Sequence, residues 1–358
     1  MPSTPAAKER RVSERRPRIL SGVQPSGELH LGNYFGAIAQ HVRLQDEGDA
    51  FYFIADYHAL TTVHDAERLA ALTRDVAATY LALGLDPQKA TFFRQSDVPE
   101  VHELTWMLEC VTGMGLLERA HSYKDKVAKG IHPSVGLFTY PALMASDILI
   151  YQADLVPVGQ DQVQHIEMCQ DMAQSFNSRF GRRERDAEGV ERVVGPLKRP
   201  EYKLSPTPKV PGTDGQKMSK SYGNTIPIFA SGKRLKKAVN SIVTDSRDPK
   251  REPLDPDACN AFAIYALLHD EDEVAALAEQ YRRAPEVGFL GYGVTKKAII
   301  ERMQERFGPA RERYEALKRP GSELDDVLRE GALRARAVAR ETIAACRQAT
   351  GLGPLLSA

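Results

Sequence analysis

Short apolar runs alternate with helical patterns along the first half of the chain. Runs rich in branched and aromatic residues predict strands over 18–23, 51–55, 91–94 and 154–158. Apolar residues at helical spacing predict a helix over 31–45 and another between residues 69 and 83. This alternation indicates a parallel sheet with helices on its faces. Such a sheet binds ligands at the carboxyl ends of its strands, where the strand order reverses.

The second half of the chain carries helical patterns only, because the strand signal fades after about Pro208. These patterns cover 233–243, 257–268, 271–283, 294–318 and 323–349. Ser322 is a good N-cap for the last helix, and Gly351 suits its C-terminal stop. We therefore expect an α/β fold, with a doubly wound, Rossmann-like parallel-sheet catalytic domain over 18–210. An all-helical domain, preceded by a loop, is expected over 211–358.

Composition narrows the classes of function. The 358 residues carry 48 basic and 48 acidic side chains, so no overall field attracts the protein to a polyanion. Any contact with nucleic acid must then rely on a local patch. The apolar stretches are far too short to span a membrane. The basic segment 1–17 is followed by no apolar run, so we expect a disordered tail and no secretory signal.

The four cysteines form no C-x-x-C pair, and their spacing fits neither a zinc site nor a disulfide framework. Cys169 and Cys346 fall within helical patterns, where a cysteine usually behaves as a small buried apolar residue. We therefore expect a reducing, cytoplasmic setting.

Two loops carry the candidate chemistry. In "SGVQPSGELHLGNYFGA", residues 21–37, Gly32 and Asn33 begin a predicted helix, where free N–H groups and the helix dipole attract an anion. His30 adds a donor, although a glycine-containing turn with a surface histidine explains the same letters. The second loop, "GQKMSKSYG" at 215–223, places two lysines and two serines between glycines and prolines. Its composition predicts a mobile surface connection that closes over a group with several negative charges.

Together, H-x-G-N after the first strand and K-M-S-K-S after the sheet resemble the two signatures of class I aminoacyl-tRNA synthetases. Within that class the chain is similar to bacterial tryptophanyl-tRNA synthetases, and the similarity extends over almost everything from Arg18 onward. It is carried by G-V-Q-P-S-G at 22–27, D-x-H-A at 56–59, Y-P-x-L-M-A-x-D-I-L at 140–149, V-P-V-G-x-D-Q at 156–162 and V-T-D-S at 243–246.

The resemblance implies a ligase that activates L-tryptophan with ATP, releases pyrophosphate, and transfers tryptophan to the terminal adenosine of tRNA(Trp). The α-carboxylate is already ionised at neutral pH, so no general base is needed. Catalysis would come from positioning and from stabilising charge on the phosphates. Mg²⁺ would be carried on the ATP phosphates, with no metal site and no iron–sulfur cluster in the protein. The resemblance further implies a homodimer whose helical half reads the anticodon.

The resemblance also assigns residues to the first reaction. The implied catalytic residues are His30, Asn33, Lys126, Lys217 and Lys220. Lys217 and Lys220 would bind the β- and γ-phosphates, helped by Lys126. The implied ATP site comprises Gln24, Pro25, Ser26, Gly32, Asn33, Gly159, Gln160, Asp161, Val210, Lys217, Met218, Ser219, Lys220 and Ser221.

The implied tryptophan site comprises His58, Tyr140, Met144, Asp147 and Gln162. In "YPALMASDILIYQAD", Tyr140, Met144, Asp147 and Tyr151 are spaced along one face of a helix. Asp147 has apolar neighbours, and a carboxylate there needs a partner. The indole N–H is only a donor, so a carboxylate is its natural acceptor. An aspartate at a helix end or facing water is the alternative.

Some positions depart from the family pattern. Gln160 replaces a usual glutamate, Tyr57 replaces a glutamine that would border the pocket, and Tyr222-Gly223 replaces an aspartate-rich continuation. A tyrosyl-tRNA synthetase stays open as an alternative, since a phenol can also donate to Asp147. Two further alternatives are a nucleotidylyltransferase and a non-charging synthetase paralogue with a binding or regulatory role.

Overall fold

A five-stranded parallel sheet organises the computed structural model, which describes residues 15–120, 123–124, 134–185, 189–204 and 210–354. Its strands are β1 (Arg18–Val23), β2 (Asp49–Ile54), β3 (Ala90–Arg94), β4 (Leu155–Val158) and β7 (Glu201–Leu204). Their spatial order is β3-β2-β1-β4-β7, and all neighbours run parallel. The chain winds outward from β1 to β3 and then crosses back to place β4 on the other side of β1.

Helices cover both faces of this sheet. They are α1 (Leu31–Asn33), α2 (Ala39–Leu44), α3 (Asp56–Ala59), α4 (Ala66–Ala82), α5 (Glu100–Glu109), α6 (Met114–Glu118), α7 (Val135–Leu149) and α8 (Val163–Phe180). A π-helical segment, Tyr34–Ile38, joins α1 to α2. Alternate side chains of β2 enter opposite cores, with Tyr52 and Ile54 on one side and Phe51 and Phe53 on the other. This two-sided burial is typical of a doubly wound, Rossmann-like domain.

Across the described residues that follow β7, the chain forms helices and no further named strand. They are α9 (Gly232–Asn240), α10 (Asn260–Leu268), α11 (Glu271–Arg282), α12 (Ala284–Val287), α13 (Tyr292–Leu317) and α14 (Leu324–Thr350). The last of them, α14, returns to pack on β3 and α5. Gly331 permits this approach, because a Cβ atom there would lie 1.8 Å from the carbonyl oxygen of Phe92.

The predicted strands and helices agree with the observed ones to within a few residues. Three short strands were not predicted: β7 and the hairpin β5 (Arg182–Arg185) with β6 (Glu191–Val194). All their residues are exposed, so they carry no apolar signal. The predicted N-cap Ser322 is wrong, because α14 begins after Glu323 and the Ser322 hydroxyl donates to the Leu317 carbonyl at 2.6 Å. Gly351 ends α14 with φ at +78°, as predicted.

The division into two domains at residues 210 and 211 stays a prediction, as does the N-terminal tail, of which only 15–17 belong to the described residues. Within the described residues, no helix combines the length and the apolar character needed to cross a membrane. Cys169 and Cys346 are fully buried in α8 and α14, as predicted.

Candidate active site

A cavity of about 490 Å³ lies at the carboxyl ends of β1 and β4. These strands are neighbours in the sheet although β2 and β3 separate them in the chain, so the strand order reverses here. Parallel sheets bind their ligands at such a point. Residues predicted for the ATP and tryptophan sites line the cavity together: Gln24, His58, Tyr140, Met144, Asp147, Gly159 and Gln162.

The Asp147 carboxylate is the central polar group of this cavity. Asp147 is 1% exposed and projects from α7. The Gln95 amide donates to both of its oxygens at 2.8 Å, and His58 Nε2 lies 2.9 Å from Oδ2. Because a carboxylate only accepts, Nε2 of His58 carries a proton. Two oxygens offer about four acceptor sites and three are used, so Asp147 retains capacity for one more donor.

Gln95 was not predicted, although it completes the setting of Asp147. It follows β3 in a short 3₁₀ turn, and its Oε1 accepts the Tyr57 backbone N–H at 3.1 Å. Asp56 joins the same two turns, since its Oδ1 accepts the N–H groups of Tyr57 at 3.1 Å and Ser96 at 3.0 Å. Burial raises the pKa of Asp56 above its usual value, and the hydrogen bonds from Ser96 oppose that shift. The ends of β2 and β3 thereby hold His58 and Gln95 against one carboxylate.

Tyr140 projects from α7, as Asp147 does, and faces His165 of α8; its ring centroid lies 6.2 Å from that of His58. The Tyr140 hydroxyl is hydrogen-bonded to Nε2 of His165, which was not predicted as a site residue, and both side chains line the cavity. Tyr151 is a correction to the predicted helix face. Because α7 ends at Leu149, Tyr151 leaves that face and packs between Phe51 and Phe93 in the core.

The first glycine-containing loop leads into the start of α1. His30 is 5% exposed there, and its backbone N–H donates to Oδ1 of Asn33 at 3.1 Å. Burial, and then the charge of Lys220, lower the pKa of His30 to about 4, so the ring is neutral at neutral pH. Its buried Nδ1 has no hydrogen-bond partner within the described part of the chain. Thus His30 retains an unused ring nitrogen beside a helix N-terminus.

The lysine loop, residues 212–224, docks on that glycine-containing loop. The Gly32 N–H donates to Sδ of Met218 at 3.3 Å, which joins the two signature motifs directly. Lys220 Nζ reaches the Gly27 carbonyl at 2.8 Å and Ser26 Oγ at 3.3 Å. Burial lowers the pKa of Lys220, and the charges of Asp75 and Glu28 oppose the shift.

The expectation that the whole lysine loop is a surface connection is therefore wrong in part. Met218 is 4% exposed, and its backbone N–H donates to the buried Val210 at 2.9 Å. Lys217 and Ser221 are exposed, whereas Ser219 is half-buried. The Ser219 hydroxyl oxygen lies 2.8 Å from that of Ser221. The loop thus buries its middle and presents polar groups on either side.

Several predicted residues lie elsewhere. Lys126 lies outside the described residues, as does the side chain of Asp161, whose backbone belongs to a 3₁₀ turn after β4. Pro25 is buried beside Ser26, and Gln160 is exposed. Tyr57 is absent from the cavity lining and packs on His102, with ring centroids 4.3 Å apart. Its substitution therefore does not alter the pocket wall directly.

Two basic positions of the helical half have structural roles. Arg334 donates to the carbonyls of Pro87 and Ala90 at 2.7 and 3.1 Å. Arg336 pairs with Glu100 at 2.7 Å. Arg334 therefore attaches α14 to the start of β3, and Arg336 attaches it to α5. Within the described ranges, no group of three or more histidine, cysteine, aspartate or glutamate residues has a geometry that could hold a metal ion.

Comparison with known proteins identifies close relatives. The chain is 50% identical over 335 residues to a tryptophan–tRNA ligase of Rhodopirellula baltica, covering 94% of this chain and 99% of that protein. It is 51% identical over 336 residues to the enzyme of that name from Fusobacterium nucleatum, covering 94% and 98%. A crystal structure of Campylobacter jejuni tryptophanyl-tRNA synthetase with ADP and tryptophan has a TM-score of 0.84 at 46% identity, covering 94% of this chain and 100% of that one.

A family model described as tRNA synthetases class I (W and Y) matches residues 12–308. That span includes the sheet, the cavity and both signature loops. The chain belongs to the class I tRNA synthetases of the tryptophan and tyrosine family.

Proposed function

We propose that this chain is a tryptophan–tRNA ligase, which forms tryptophanyl-adenylate from L-tryptophan and ATP and then charges tRNA(Trp). The observation that carries the proposal is Asp147, a buried carboxylate in the cavity with capacity for one further donor. An indole N–H meets that requirement. The names of the close relatives support the same substrate, and one of them was crystallised with ADP and tryptophan.

Tryptophan would occupy the part of the cavity between α7 and the ends of β2 and β3. Asp147 would accept from the indole, with His58 and Gln95 holding the carboxylate in place. Met144 would contact the ring. Tyr140 and Gln162 would hold the amino group, with His165 behind Tyr140. The substrate carboxylate would then face the glycine-containing end of the cavity, where Gln24 and Gly159 lie.

ATP would bind between the two signature loops. Gly32 and Asn33 supply a helix N-terminus, which favours phosphate oxygens. His30 is neutral, so it would act as a hydrogen-bond donor and not as a charge. Lys220 now donates to Gly27 and Ser26, and phosphate oxygens would replace these two acceptors. Lys217, Ser219 and Ser221 would add further donors.

Charge builds on the leaving pyrophosphate as the tryptophan carboxylate attacks the α-phosphorus. Fixed cations aimed at that charge stabilise the transition state more than the bound substrate. Mg²⁺ would accompany ATP as part of the substrate, since it usually binds through phosphates and waters. Lys126 would be a third cation at the same phosphates.

Transfer to tRNA would follow at the same site, with the helical half contacting the anticodon. We also propose a cytoplasmic homodimer. Exposed apolar residues on three helices that pack together suit such a contact: Trp106 on α5 is 68% exposed, Met114 on α6 is 62% and Val135 on α7 is 79%. Large apolar side chains that stay exposed on packed helices support an interaction surface there.

Charging of purified tRNA tests the proposal. Labelled tryptophan should become acid-precipitable on tRNA(Trp) in the presence of ATP, and labelled tyrosine on tRNA(Tyr) should not. Charging with tyrosine would assign the chain to the other branch of its family. If neither tRNA is charged by folded protein, the proposed ligase activity is wrong and a binding role takes its place.

A further inference from the structure

Asn224 stands out because it is buried in the lysine loop, where asparagine is usually a solvent-facing turn residue. It is 2% exposed. Its Oδ1 accepts the Ser219 backbone N–H at 2.7 Å, and its Nδ2 donates to Asp214 Oδ1 at 2.7 Å and to the Lys217 carbonyl at 3.2 Å. One side chain therefore binds three other residues of the same loop.

The surroundings of Asn224 are fitted to its amide. A Cβ atom on Gly212 would lie 2.2 Å from Nδ2 of Asn224, so only glycine leaves room for the side chain. The backbone carbonyl of Asn224 accepts the Thr213 N–H at 2.9 Å. Asp214 also accepts the Gln216 N–H at 3.0 Å, and these bonds, first of all that from Asn224, lower its pKa. Asn224 thus ties the start of the loop to its end.

Two of the three side-chain bonds go to the backbone beside the two motif lysines, and the third goes to the side chain of Asp214. One of them holds the carbonyl of Lys217, and another holds the N–H of Ser219, the residue immediately before Lys220. Among the hydrogen bonds of the described residues, none joins a lysine amine to the Asn224 side chain, and Lys220 Nζ donates to Gly27 and Ser26. The amide can therefore influence the lysines only through the path of the main chain.

We propose that Asn224 is a positioning residue that fixes the backbone of Lys217 and Lys220, so that both amines meet the phosphates together. This inference rests on the proposed function. Because effective catalysis depends on placing charged groups to within about 1 Å, loss of the amide should weaken transition-state stabilisation without touching tryptophan binding.

The test compares variants of the full-length protein in tryptophan-dependent ATP–pyrophosphate exchange. Asn224→Ala should lower kcat by about 10- to 100-fold, with the KM for tryptophan unchanged. Asn177→Ala is the matched control. Asn177 also bonds a backbone N–H and a carbonyl, both of Leu197, at 3.2 and 2.6 Å, but it lies in α8 away from the lysine loop. It should leave kcat unchanged.

A double-variant cycle separates positioning from general damage. If Asn224 acts through Lys220, Asn224→Ala should cost little once Lys220→Ala is present, because interacting residues are not additive. Full additivity of the two losses would overturn the proposal.

Swapping the amide of residue 224 and the carboxylate of residue 214 provides a second test. Asn224→Asp brings two carboxylates together and should be worse than Asn224→Ala, since both cannot readily stay ionised at this distance. Adding Asp214→Asn restores one donor and one acceptor and should recover part of kcat. If Asn224→Ala fails to fold, Asn224→Asp and its combination with Asp214→Asn decide the question alone. If kcat does not recover in the combined variant, the bond between residues 224 and 214 is not the cause of the loss.

Wild-type protein distinguishes this inference from the function on which it rests. Absence of exchange by the wild type would contradict the proposed activity itself. Normal wild-type exchange with an unimpaired Asn224→Ala variant would overturn only the role of Asn224.

Discussion

A single buried carboxylate determines what the cavity can recognise. Asp147 is kept in place by Gln95 and His58, which use three of its acceptor sites. An amide that donates to both oxygens fixes the orientation of the carboxylate as well as its position. The specificity of Asp147 for its ligand then depends on Gln95, whose side chain does not line the cavity.

Replacing Gln95 should therefore affect tryptophan much more than ATP. Gln95→Ala leaves Asp147 short of a donor, and a lost hydrogen bond to a charged group costs about 1.5–3 kcal/mol. We expect the KM for tryptophan to rise at least tenfold and the KM for ATP to stay constant in pyrophosphate exchange. Gln170→Ala, which removes a buried glutamine bonded to the Pro200 carbonyl at 2.8 Å, is the control. Equal changes in both KM values would exclude a role in amino-acid binding.

A buried histidine at the rear of the cavity should make the fold sensitive to acid. His41 lines the cavity, stacks on Tyr52 and lies 3.1 Å from the Tyr80 hydroxyl. Burial lowers its pKa to about 4. The unfolded chain takes up the proton near pH 6.5, whereas the folded chain resists it until about pH 4. The stability that His41 contributes is therefore complete above pH 6.5 and is lost as the pH falls toward 4.

Urea unfolding at several pH values tests this sign. Between pH 6.5 and 4.5, His41→Gln should flatten the fall in the free energy of unfolding by up to about 1.4 kcal/mol per pH unit. The exposed His64 provides the control, since His64→Gln should keep the wild-type slope. An unchanged slope in His41→Gln would show that other groups cause the acid sensitivity.

At the scale of elements, the last helix is joined to the first sheet. Arg334 and Arg336 bind α14 to the loop before β3 and to α5, and Gly331 brings its backbone onto Phe92. The sequence predicted α14 closely because its apolar period is regular. It gave no sign of where that helix packs, since a small residue on a helix face is compatible with many partners.

Gly331→Ala should destabilise the protein by about 3 kcal/mol, because a methyl group would overlap the Phe92 carbonyl and force α14 away from β3. Gly293→Ala in α13 has open space around its new methyl group and should be neutral or slightly stabilising. Thermal unfolding of both variants measures the difference. Similar stabilities would contradict the close packing of α14.

The site residues that the sequence predicted differ from those that it missed in the kind of signal they leave in the sequence. His58, Tyr140, Met144 and Asp147 were placed by motif resemblance, and the cavity brings them together. Gln95 had one available signal, its position at the carboxyl end of a predicted strand. Asn224 had none, because burial of an amide in a glycine-rich loop depends on contacts among residues from 212 to 224 that no periodicity reveals.

Three short polar strands of the fold were also missed by the sequence analysis. Strand β7 and the hairpin β5–β6 expose every residue, so their pairing depends on backbone bonds to a neighbour and not on a buried face. Hydrophobic pattern detects burial. It therefore predicted the central strands and missed these three.

At the scale of the whole molecule, the single tryptophan of the chain reports on assembly. Trp106 is 68% exposed in one subunit, so a homodimer through this surface would bury it. Fluorescence emission should shift to longer wavelength on dilution as the dimer separates, and Trp106→Glu should sediment as a monomer. Leu333→Glu, on the exposed face of α14, should stay dimeric. Emission independent of concentration, with Trp106→Glu still dimeric, would place the contact elsewhere.

The cavity, the two signature loops and the family together lead to one central claim, that this protein activates tryptophan. Amino-acid-dependent ATP–pyrophosphate exchange, run without tRNA and separately with each standard amino acid, tests it most directly. Exchange with tryptophan and with no other amino acid is the predicted result. Exchange led by tyrosine, or no exchange by folded protein with any amino acid, would contradict the claim.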